Sequence, residues 1–117
     1  DGAMYVIRSM DKYRDARNFG RIRIGQNCFV GNNCTFLPGA KMGDNCILGA
    51  GSLLNSSMPD NSVYAGVPAK FICTVEEYGD KALENNVLYP RKLEENRSLL
   101  DKYIRENLPH KYKSIKK

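Results

Sequence analysis

From Ile24 onwards the large apolar residues recur at a spacing that neither a helix nor an isolated strand explains. Ile24, Val30, Phe36, Met42, Leu48 and Leu54 stand six residues apart. A helix repeats its apolar face at three and four residues, and a half-buried strand at two. Glycine follows four of these positions, as Gly25, Gly31, Gly43 and Gly49. Two places before an apolar position the residue is usually small: Cys28, Cys34, Ala40, Cys46 and Ser52. Ile22 and Leu37 depart from these two columns. Asn27, Asn32, Asn33 and Asn45 add turn-forming side chains between the apolar positions. The pattern predicts a short strand closed by a sharp corner, repeated five to six times between Ile22 and Leu54. Three such flats make a triangular circuit of about eighteen residues, one layer of a parallel β-solenoid. Residues eighteen apart then stack: Ile24 on Met42, Val30 on Leu48, Phe36 on Leu54, Cys28 on Cys46 and Cys34 on Ser52.

The period is lost on either side. Ser9 to Phe19 carries five charged side chains and no six-residue series, which predicts a loop excursion over residues 9–20. Thr74-Val75-Glu76-Glu77 has the spacing of a capping box and predicts a helix fading near Asn85–Asn86. Pro90 bars its continuation. A second helix is expected from Arg91 to Asn107, with Leu93, Leu100, Ile104 and Leu108 on one face and Leu99 and Tyr103 alongside. It is expected to pack on the end or side of the solenoid and shield strand edges there. The organisation read from the sequence is therefore an all-β solenoid over residues 1–73, a helical extension over 74–109 and a basic tail over 110–117.

Length and composition narrow this only slightly. With 117 residues, 42% of them hydrophobic and 26% charged, the chain suits one modest globular domain. No apolar run is long enough to cross a bilayer, so no membrane insertion is expected. Asp1-Gly2-Ala3-Met4 lacks the pattern of a signal peptide. Cytoplasm is thus the expected compartment, and the four cysteines read as reduced, packed thiols. No Cys-x-x-Cys spacing points to a metal. Four of the five net positive charges come from Lys111, Lys113, Lys116 and Lys117, a tail read as solvated rather than as a contact for nucleic acid.

Two stretches together resemble a known family. They are Ile24-Gly25-Gln26-Asn27-Cys28-Phe29-Val30-Gly31 through Leu48-Gly49-Ala50-Gly51-Ser52, and Pro59-Asp60-Asn61-Ser62-Val63-Tyr64-Ala65-Gly66-Val67-Pro68-Ala69-Lys70. The chain resembles the hexapeptide acyltransferases, above all the sugar and polysaccharide O-acetyltransferases of the galactoside and maltose type. The resemblance implies a left-handed parallel β-helix of hexapeptide repeats, a homotrimer, and acetyl-CoA bound between subunits with a sugar or polysaccharide-precursor acceptor. It implicates Asn32, Ala50, Asn55 and Lys70 in holding coenzyme A, Lys70 through a phosphate. Read from the residues alone, Asn32 and Asn55 are equally turn formers, Ala50 a packing residue and Lys70 a solvated lysine. Arg8, Arg14 and Arg17 are candidates for an anionic sugar, with a solvated loop as the alternative.

Acetyl transfer to a hydroxyl needs a base, and in this family the base is a histidine. The one histidine, His110, lies in the basic tail and is a poor candidate. Asp1 to Arg8 resembles the strand that follows the catalytic histidine in such enzymes. No catalytic residue is therefore assigned within the chain, and the histidine is expected just before Asp1. A cloning remnant at Asp1–Met4 is the alternative. The carbonic anhydrase built on the same helix needs three histidines for zinc and is excluded. A non-catalytic assembly scaffold remains the rival reading.

Overall fold

The computed structural model describes residues 2–85, 87–108 and 112–115; Asp1, His110, Lys111, Lys116 and Lys117 lie outside them. Two compact units are present, Asp1–Tyr78 and Gly79–Lys117.

In the first unit each apolar residue of the six-residue series ends a two-residue strand. These are β1 (Arg23–Ile24), β2 (Phe29–Val30), β3 (Thr35–Phe36), β4 (Lys41–Met42), β5 (Ile47–Leu48) and β6 (Leu53–Leu54). The chain visits three short parallel sheets in rotation, so β4 lies on β1, β5 on β2 and β6 on β3. The partners are Ile24↔Met42, Val30↔Leu48 and Phe36↔Leu54, the expected register of eighteen.

The next circuit is shorter. Between Leu54 and the following buried apolar residue, Met58, the spacing falls from six to four. β7 (Ser57–Met58) therefore pairs as Met42↔Met58, and β8 (Ser62–Gly66) as Ile47↔Val63. A turn with a cis Val67–Pro68 bond then sends β9 (Ala69–Thr74) back antiparallel to β8. The third sheet consequently stops at two strands.

Side chains from successive circuits meet inside. Met42, Leu48, Leu54 and Met58 are almost fully buried, with Ala40, Cys46 and Ala69 between them. Each large side chain in this position stabilises the fold by about 1.5–3 kcal/mol. Ile24 and Val30, in the first circuit, remain 47% and 37% exposed, because among the described residues no earlier layer stacks on them.

The corner between the first and second sheets is held by side chains that stack in register. Asn27 donates to Asn45 (2.8 Å) and Asn45 to Asn61 (3.2 Å), and all three adopt positive φ. An asparagine tolerates that conformation better than most residues. Beside them Asp44 accepts from the Gln26 backbone N–H (2.8 Å) and Asp60 from that of Asp44 (2.7 Å). The cysteines do more than fill space. Cys28, Cys34 and Cys46 each donate Sγ–H to a carbonyl of the next circuit, those of Gly43, Gly49 and Pro59, at 3.1 Å. All four cysteines are free thiols.

The capping box forms as expected. The Thr74 N–H donates to the Glu77 carboxylate (3.2 Å) and the Glu77 N–H to the Thr74 hydroxyl (3.1 Å), opening α2 (Val75–Asn85). Two expectations need correction. Ala3–Ile7 forms a short helix, α1, where the resemblance implied a strand of the β-helix. Alanine and methionine favour helix, the Arg8 N–H closes the turn on Met4 O at 3.0 Å, and no described strand offers this segment a ladder. The second C-terminal helix is also broken. Arg91–Glu95 is a 3₁₀ stretch, Asn96 is extended, and its side chain caps α3 (Arg97–Asn107) by accepting from the Leu99 N–H at 3.2 Å. Asparagine is a strong N-cap and a weak interior residue, so it restarts the helix there.

Candidate functional site

The corner between the second and third sheets is built from small residues at near-contact distance. The Gly31 N–H donates to Leu48 O (2.9 Å), Gly49 N–H to Tyr64 O (2.9 Å) and Gly51 N–H to Asn32 O (2.8 Å). Ser52 Oγ accepts from the Gly66 N–H at 3.0 Å, tying this corner to the β8–β9 turn. A Cβ at Gly31 would lie 2.4 Å from Ala50 N, and one at Gly49 would lie 3.0 Å from Ala65 Cβ. Only glycine lets these circuits approach so closely. Asn33 and Gly51, eighteen residues apart, make the corner itself with φ of 61° and 73°.

Three of the four residues expected to hold a cofactor gather along this edge. Asn32 and Ala50 stack on successive circuits with their side chains exposed. Lys70, also exposed, pairs across the hairpin with Ala65, which abuts Gly49. Asn55 does not join them: it follows β6, on the far side of the third sheet. The edge thus offers closely approachable backbone from small residues, with an exposed cation at one end. That suits an extended, phosphate-bearing ligand.

A second concavity lies at the N-terminal segment. Tyr5, Val6, Arg8, Ser9 and Arg14 line an open cleft of about 660 Å³. Arg8 Nε donates to Arg14 O (3.2 Å), and Arg14 pairs with Asp11 at 2.7 Å. Arg17 turns instead to the carbonyl of Ala16 (2.8 Å) and does not line the cleft. Tyr5 was not singled out by the sequence, since an aromatic ring in a short irregular segment carries no periodic signal.

No described residue is a histidine, and no described group of acidic, cysteine or histidine side chains is arranged to hold a metal. No described helix is long and apolar enough to cross a membrane. Among the described residues, Tyr89 in the second unit has its pKa raised, chiefly by its hydrogen bond to the Glu94 carboxylate.

Residues 21–56 match the family described as bacterial transferase hexapeptide (six repeats). The chain is 43% identical over 106 residues to Protein CapG of Staphylococcus aureus, covering 88% of this chain and 60% of that protein. It is 39% identical over 56 residues to galactoside O-acetyltransferase of Escherichia coli K12, covering 48% and 28% respectively. A maltose O-acetyltransferase from Clostridium difficile 630 superposes with a TM-score of 0.46 at 34% identity, over 47% of this chain and 29% of that one. The chain therefore spans 60% or less of the length of these relatives. Its repeats and its relatives agree: residues 21–56 carry the hexapeptide repeat of the bacterial transferases, and the chain is similar to proteins of that kind.

Proposed function

We propose that this chain is the donor-binding part of an acetyl-CoA-dependent O-acetyltransferase acting on a sugar or polysaccharide-precursor hydroxyl. The observation that carries the reading is the Gly31–Ala50 and Gly49–Ala65 edge with Lys70 beside it. Small residues let an extended pantetheine chain lie against the backbone, and the Lys70 ammonium meets a coenzyme A phosphate. The galactoside O-acetyltransferase relative supports the acceptor class. In this reading the coil is a closed, left-handed β-helix and the protein a cytoplasmic homotrimer. Residues 1–73 supply the binding body, 74–109 the extension and 110–117 a solvated tail. Asn32 and Ala50 lie under the donor. Asn55, on the far side of the third sheet, serves a donor held against a neighbouring subunit. In this reading the base is a histidine preceding Asp1.

Calorimetric titration with acetyl-CoA tests this. Saturable binding at one site per chain is expected, weakened about tenfold by Lys70→Ala through loss of a charge-assisted contact. Absence of binding by folded, trimeric protein rejects the reading in favour of an assembly scaffold.

A further inference from the structure

The N-terminal segment carries a charge that the coil does not. Residues 2–22 hold five basic and two acidic side chains, whereas residues 23–78 hold three basic and four acidic. The basic excess meets a concave surface at the cleft of Tyr5, Val6, Arg8, Ser9 and Arg14. Within it Arg8 is held in place: it caps α1, and its Nε donates to Arg14 O. Its two Nη groups make no hydrogen bond or ion pair with any described residue. Arg14, by contrast, already has Asp11, in a pair exposed on both sides and so of small worth. The Tyr5 ring and Val6, exposed by 83% and 64%, supply an apolar wall beside the two Nη groups.

An anchored guanidinium with a free fork recognises a planar carboxylate through two parallel hydrogen bonds. An exposed tyrosine beside it offers a flat face for the apolar side of a sugar ring. The volume of about 660 Å³ is of small-ligand size. We propose that this cleft binds a carboxylate-bearing sugar, the carboxylate on Arg8 and the ring against Tyr5. This deepens the acetyltransferase reading by naming the acceptor class, and rests on that reading for the word acceptor alone.

Nuclear magnetic resonance titration of the isotope-labelled chain tests the site without requiring catalysis. Galacturonate is the probe, with galactose and inorganic phosphate in parallel at matched ionic strength and acetyl-CoA in a separate titration. Galacturonate is expected to give saturable shifts at residues 5–14, with galactose and phosphate each about tenfold weaker. Arg8→Gln is expected to lower galacturonate affinity about tenfold, Arg8→Lys to fall between, and Tyr5→Ala to weaken both sugars. Equal binding of galactose, equal binding of phosphate, an unaffected Arg8→Gln or the absence of shifts at residues 5–14 each overturns the proposal. Galacturonate binding without acetyl-CoA binding upholds the cleft and removes the acetyltransferase reading.

Discussion

Replacing Gly31 with alanine adds one methyl group where two circuits touch, and its effect follows from the distances. The new Cβ would stand 2.4 Å from Ala50 N, 2.6 Å from Ala50 Cα and 2.9 Å from Gly49 C. All three are backbone atoms, so no side chain can swing aside. The circuits must separate, which strains the Gly31–Leu48 hydrogen bond of 2.9 Å. Overpacking of this kind costs about 1–3 kcal/mol, and losing the bond adds about 1 kcal/mol. Alanine also restricts the unfolded chain, which offsets about 0.4–1 kcal/mol. A net loss of about 1–3 kcal/mol is expected. It is read as a lower urea midpoint with an unchanged slope, at fixed protein concentration. Gly31 has no positive φ, so backbone strain does not confuse the result. Gly2→Ala, whose Cβ meets nothing within 4 Å, serves as the control and stays within about 0.5 kcal/mol. A Gly31→Ala protein as stable as the original, with acetyl-CoA affinity intact, refutes the close-approach account of this edge.

Leu48→Ala empties a fully buried site and is expected to cost about 2–5 kcal/mol in the same assay. Asn45→Ala breaks both rungs of the asparagine ladder at a φ of 56°, while Asn45→Gly breaks the rungs without the backbone strain. The glycine variant is therefore expected to be the more stable by about 1 kcal/mol, and equal midpoints reject the strain component. Thr74→Ala removes half of the capping box and is expected to cost about 1 kcal/mol, seen as faster hydrogen exchange in the first turn of α2.

The regular part of the coil was legible because each six-residue unit repeats the same demand: a large residue inside, a small one before it and a corner after it. That is why the register of Ile24 on Met42 followed from spacing alone. Cofactor candidates Asn32, Ala50 and Lys70 came together because they stand at fixed offsets within that repeat or in the hairpin that ends it. Legibility failed where the repeat stops. A five-residue helix at Ala3–Ile7 has no period to display, and one asparagine at position 96 outweighed a plausible helical face. The thiol donors were hidden for another reason. Cys28, Cys34 and Cys46 look like small packing residues, and only the corner carbonyl opposite each one reveals a bond.

The reversal at Val67–Pro68 gives the coil a direction. Each layer of a parallel solenoid is a template for another, so such a fold has no intrinsic length. Here β9 runs against the grain of the second sheet, and the third sheet receives no further strand. A duplicated hexapeptide triplet has nowhere to seat itself beyond β8. It can be accommodated beneath Ile24 and Val30, which no described layer covers. Added layers are thereby confined to the Ile24 side, and the edge beside Lys70 keeps its shape however many stand there.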